Sequence, residues 1–172
     1  MDLVKWLHYF SEVDGMSDTH YTDEYIYSNI KEIGATGYAA HPARCYGDWK
    51  IPPYEDIMVE QQHYALIFED EMTYGIVVNR TSGAVKIAHF DEELVELFGE
   101  AVLVNSSLEQ FYQFCVLWGK LLVMTENVSD NERVRIVSQT KIAMQTIDKA
   151  ALENEDWGAW PTSLEELRTG AI

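Results

Sequence analysis

"YGIVVNRTSGAVKIAHF", residues 74–90, is the stretch on which the reading of this chain turns. Two runs rich in β-branched residues, YGIVVN and AVKIAHF, flank NRTSG, in which Gly83 can take the positive φ that a tight connection needs. The spacing predicts two antiparallel strands joined by a short turn. In the second run Val85, Ile87 and His89 alternate with Lys86, Ala88 and Phe90, so either set can face the core. Upstream, YALIF (64–68) reads as a preceding strand; downstream, AVLV (101–104) after Gly99 reads as a further short one.

Outside this region the periodicity is helical. Ser106 followed by Glu109 has the form of a capping box, with Leu108, Phe111, Tyr112, Cys115 and Leu122 making one apolar stripe behind it. A second helix is expected over about 131–151, with Val134, Val137, Met144, Ile147 and Ala151 inward. Thr162 with Glu165, after Pro161, forms another capping box, and Gly170 suits a helix end. Residues 1–34 also read as helical, from Leu3, Leu7 and Phe10 and then Ile26, Ile30 and Ile33, with Gly34 as a stop. Residues 35–63 hold Gly37, Pro42, Gly47, Pro52 and Pro53 and are expected to be irregular. The expected class is α+β: one domain over 1–172, with a mainly antiparallel central sheet of about four to six strands flanked by N- and C-terminal helices.

Charge is the dominant global property. Twelve basic against 29 acidic residues give a net −17, a field that repels phosphate backbones and anionic lipid and favours a basic protein partner. Direct nucleic-acid binding is therefore not expected. MDLVKWLHYF lacks the cationic start and apolar run of a secretory signal, and FCVLWGKLLVM (114–124) is broken by Gly119 and Lys120, so no membrane span and a cytoplasmic location are expected. Cys45 and Cys115 then read as free thiols, Cys115 as a small hydrophobe in a helix. The three Asn-x-Ser/Thr matches, Asn105-Ser106-Ser107 among them, carry no meaning without export.

Little in the chain resembles catalytic machinery. His8, His20, His41, His63 and His89 have no ligand spacing, and Gly34-Ala35-Thr36-Gly37 lacks the Lys-Ser/Thr ending of a phosphate loop. No G-x-S-x-G elbow is present. Glu69, Asp70, Asp91 and Glu92, in FEDEM and HFDEE, are the residues an enzymatic reading would use, provided a deep pocket makes them converge. The expectation is no enzyme, no cofactor and no metal.

Two acidic segments invite a different reading. DEELVELFGE (91–100) sets Asp91, Glu92, Glu93, Glu96 and Glu100 among apolar residues with no Lys or Arg, and Glu153, Glu155 and Asp156 precede WGAW (157–160). The first is either an ordinary solvated turn or short amphipathic helix, or a docking surface. Trp157 and Trp160 either join such a surface or close the core.

The hairpin YGIVVNRTSGAVKIAHF with its S-G turn, the helix start and aromatic stripe in VLVNSSLEQFYQF (102–114), and the closing tryptophan and short helix in WGAWPTSLEELRTGAI (157–172) occur here in a characteristic order. In these features the chain resembles the SUKH superfamily of bacterial immunity proteins, which share their fold with yeast cell-wall regulators. Residues 1–63 depart from the pattern, showing neither the leucine-proline-tyrosine helix nor the Asn-Gly-Gly loop of many members. The resemblance implies a non-enzymatic protein that binds and blocks a cognate secreted toxin domain, commonly a nuclease or deaminase. The negative charge fits such a partner independently, because proteins that act on nucleic acid hold phosphates with Lys and Arg. The expected contacts are Asp91, Glu92, Glu93, Glu96, Glu100, Glu153, Glu155, Asp156 and Trp157. A regulatory or scaffolding module of the same fold, binding other cellular proteins, is the alternative.

Overall fold

A computed structural model describes residues 56–59, 62–69, 74–91, 94–153 and 158–172. The turn expected at NRTSG forms around Asn79, whose Oδ1 accepts the backbone N–H groups of Thr81 (3.0 Å) and Ser82 (2.8 Å). The N–H of Gly83 donates to the Asn79 carbonyl at 2.8 Å, and Gly83 sits at φ +73°, where a Cβ would be strained. Asn79 also donates from Nδ2 to Gln62 Oε1 at 2.7 Å, so one side chain closes the turn and ties it to the neighbouring strand.

Five strands run through the sheet in chain order, each antiparallel to the next: β1 (Asp56–Val59), β2 (Gln62–Glu69), β3 (Tyr74–Asn79), β4 (Val85–Asp91) and β5 (Leu94–Asn105). Cross-strand partners share a face, and the register Ala65↔Val78↔Val85 places these three on the side that meets the helices. Tyr64, Leu66, Val77 and Ala88 alternate to the other side and are buried as well. Strands β1 and β5, at the two ends of the order, also approach one another, so the sheet curls.

Two expectations for this region are corrected. Part of the stretch expected to be irregular is regular, since it contains β1 and the start of β2. Residues 94–100, the larger part of DEELVELFGE, are not a turn or short helix but extended chain, continuous with AVLV in a single twelve-residue strand. Its apolar residues Leu94, Val95, Leu97 and Phe98 satisfy either period over so short a run, and pairing with β4 at His89↔Phe98 and Phe90↔Leu97 selects the strand.

Helix α1 (Leu108–Thr125) follows at once and buries Leu108, Phe111, Phe114, Cys115, Trp118 and Leu121. The stripe read from sequence includes Leu108, Phe111 and Cys115 correctly, but its centre lies at Phe114, Trp118 and Leu121, with Tyr112 and Leu122 at the margin. Helix α2 (Asp130–Ile147) packs against α1 and buries Ile136, Val137 and Met144; Val134, expected inward, is exposed. A 3-10 turn (Ala150–Leu152) follows α2 and packs on β5. Helix α3 (Ala159–Thr169) starts at Gly158, so Thr162 lies inside it and does not cap it. Pro161 is accommodated because it falls in the first turn, where its missing N–H has no partner to lose. Gly170 ends α3 at φ +76° with Ala171 N–H donating to Glu166 O (2.8 Å), the left-handed stop anticipated.

A sheet with helices against one face makes this an α+β fold. The helices expected over residues 1–34 lie outside the described residues.

Candidate functional site

Three consecutive residues at the end of β5 serve three different elements. Asn105 is fully buried; its Oδ1 accepts the indole N–H of Trp160 on α3 (2.9 Å), and its Nδ2 donates to Asp148 Oδ2 (3.1 Å). Ser106 donates to the same carboxylate twice, from its backbone N–H to Oδ2 (2.7 Å) and from Oγ to Oδ1 (2.9 Å). Ser107 caps α1, its Oγ accepting the N–H of Gln110 at 3.2 Å while its hydroxyl donates to Gln110 Oε1. The cap is therefore Ser107 with Gln110, one residue later than the expected box of Ser106 with Glu109, because Ser106 is engaged by Asp148.

Asp148 is buried at the C-terminal end of α2, and its own N–H returns to Met144 O (2.9 Å). Three donors on two oxygens compensate the cost of removing a carboxylate from water. Gln110 adds a further bond across the same junction, from Nε2 to Ile147 O at 2.9 Å, satisfying one of the carbonyls left over at the end of α2. Trp160 completes it on the apolar side. Its ring centroid lies 5.2 Å from Phe114, 6.2 Å from Trp118 and 6.3 Å from Phe111, all in tilted or edge-on geometry, each pair worth about 0.5–1.5 kcal/mol beyond burial. Of the two tryptophans in WGAW, Trp160 thus closes the core; Trp157 lies outside the described residues.

This junction ties β5, α1, α2 and α3 together through paired side chains. Every oxygen of Asp148 faces a donor from its own chain, and Cys115, the described thiol, is held in its neutral form by burial, which pushes its pKa far up. Among the described residues no group of three or more His, Cys, Asp or Glu side chains is arranged to hold a metal ion. No described helix is long and apolar enough to cross a membrane.

Four of the residues expected to meet a partner fall within the described residues. Asp91 ends β4, Glu96 and Glu100 lie on β5, and Glu153 is exposed just after the 3-10 turn that packs on β5. Glu92, Glu93, Glu155, Asp156 and Trp157 lie outside the described residues. Of the carboxylates weighed for catalysis, Glu69 ends β2 and Asp70 lies outside the described residues. Sequence reading had no means of finding Asp148, which stands alone between a helix and a lysine and takes its side-chain bonds from Asn105 and Ser106, 43 and 42 residues earlier.

In a comparison with known families, the model described as SUKH-4 immunity protein matches residues 20–166. No curated protein and no solved structure matches the chain.

Proposed function

The chain belongs to the SUKH-4 immunity protein family, and from that premise we propose that it neutralises a basic, nucleic-acid-targeting toxin domain by covering it one to one, without chemistry of its own. The observation that carries the toxin class is the net charge of −17. A nuclease or deaminase must present Lys and Arg to hold phosphates, and a strongly negative protein both reaches such a surface faster and competes with the substrate for it. In this reading Asp91, Glu92, Glu93, Glu96 and Glu100, with Glu153, Glu155, Asp156 and Trp157, form the contact, and the junction at Asn105 and Asp148 keeps β5 fixed behind it. The protein acts in the cytoplasm, where an incoming toxin would meet nucleic acid.

The test is a pull-down with the secreted protein encoded beside this gene, followed by a nuclease or deaminase assay at rising ratios of the two proteins. Inhibition complete at equimolar ratio supports the reading. Undiminished toxin activity in a mixture that binds would refute occlusion, and binding only to resident cellular proteins would favour the scaffolding role. Reversing Glu92, Glu93 and Glu96 to Lys together slows association and flattens its salt dependence; binding unchanged in both respects removes this patch from the interface.

A further inference from the structure

Helix α2 carries a second feature, independent of the toxin reading. Val134 is 36% exposed and Ile142 is 64% exposed, although both are large and apolar. With Ser138 between them and Thr146 beyond, they make one i, i+4 ridge on the side of α2 opposite its buried Ile136, Val137 and Met144. The hydroxyls on this ridge are already satisfied within the helix: Ser138 Oγ donates to Val134 O at 2.7 Å, and Thr146 Oγ1 donates to Ile142 O at 3.1 Å. What the ridge offers outward is mainly hydrocarbon.

Its flanks are electrically quiet as well. Arg135 donates from Nε to Glu132 Oε2 (2.9 Å) and from Nη1 to Gln139 Oε1 (3.2 Å), and its bond to Glu132 holds that carboxyl below its ordinary pKa. Glu165 is lowered likewise, first by its hydrogen bond from Arg168 and to a smaller degree by the charge of Lys141. Residues 120–149 hold five basic and four acidic side chains, a net +1, which leaves −18 on the rest of the chain.

We propose that this ridge is the contact between two copies of the protein, the two α2 helices crossing about a twofold axis near Ser138 so that Val134 of each copy meets Ile142 of the other. Two molecules of charge −17 repel over most of their surfaces, and the region of near-zero net charge is where they can touch at least electrostatic cost. A basic toxin gains nothing from a face without negative charge, so the same argument directs it elsewhere. Ridges of i±4 spacing are the commonest helix–helix contact, and a small residue at the crossing lets the axes approach. A single helix of this length, about 27 Å by 10 Å, covers only a few hundred Å², less than the roughly 800 Å² per partner of a stable complex. The dimer is therefore weak and in exchange with monomer.

Sedimentation equilibrium of the full chain from about 10 µM to about 1 mM, the range in which such a contact is populated, tests this. The expected result is a reversible monomer–dimer equilibrium that tightens at least threefold between about 0.01 and 1 M salt, as the screening length falls from roughly 30 to 3 Å and the repulsion is removed. A toxin complex held by opposite charges moves the other way. Ile142→Glu, at an exposed site that leaves the fold intact by circular dichroism, is expected to weaken the dimer at least tenfold, and Ile142→Leu to preserve it. A monomer at every concentration, a dimer indifferent to Ile142→Glu, or one that salt weakens would each overturn the proposal.

Discussion

Trp160 and Asn105, 55 positions apart, share a 2.9 Å hydrogen bond in the interior, and Asn105 spends its remaining polarity on Asp148. A buried indole N–H without an acceptor costs about 1–3 kcal/mol, and so does each other polar group left unpaired. Asn105→Ala orphans Trp160 and removes one of three donors from Asp148. It is expected to lower unfolding stability by about 2–4 kcal/mol in urea titrations, with no change in the denaturant slope.

Asp148 allows a sharper test of the same junction. Asp148→Ala leaves Asn105, the Ser106 amide and the Ser106 hydroxyl without an acceptor, and is expected to cost about 3 kcal/mol or more. Asp148→Asn keeps one oxygen for Asn105 and the amide, while its NH₂ can donate to the Ser106 hydroxyl, which is free to turn. Its expected cost is less than half that of the alanine variant, measured in the same titration.

Gly170 combines two constraints that a double-mutant cycle separates. Its φ of +76° costs an L-residue about 1–2 kcal/mol, and an added Cβ would run into Arg133 Nη1. Gly170→Ala is expected to destabilise by at least about 1 kcal/mol. In an Arg133→Ala background the same change should cost nearly as much, because the flexible end of Arg133 can move aside and the backbone strain remains.

Cys115 gives a pH dependence whose sign is fixed by burial. Its folded pKa is raised far above the ordinary thiol value of about 8.5, so its contribution to stability is fully present below that pH. Above it the unfolded chain releases the proton and the folded chain does not, so stability falls as pH rises, by up to about 1.4 kcal/mol per pH unit. Urea midpoints between pH 7 and 10 should show this slope reduced in Cys115→Ala. In a Cys45→Ala background, thiol labelling of Cys115 in the native protein at pH 8 should proceed only through unfolding.

The hairpin of residues 74–90 was legible because its two signals, a period of two and a glycine in the turn, are local and agree with the pairing. The glycine stop at Gly170 was legible for the same reason. Leu94 to Glu100 was misread because four apolar residues among acids fit a helix turn as well as a strand, and only the partner strand β4 distinguishes them. The cap of α1 was displaced by one residue because a carboxylate more than forty positions away claims Ser106, and no local pattern announces that. For the partner surface, charge is visible in composition, but which acids share a face depends on how the chain folds back, a property no spacing rule contains.

Asn105, Ser106 and Ser107 assign adjacent side chains to α3, Asp148 and α1, so the joining of these elements depends on a handful of neighbouring positions. Exposed residues away from these positions and from the packed core can be exchanged at little risk to folding. A molecule organised in this way can follow an antagonist that keeps changing, altering its exterior step by step while its anchorage stays the same.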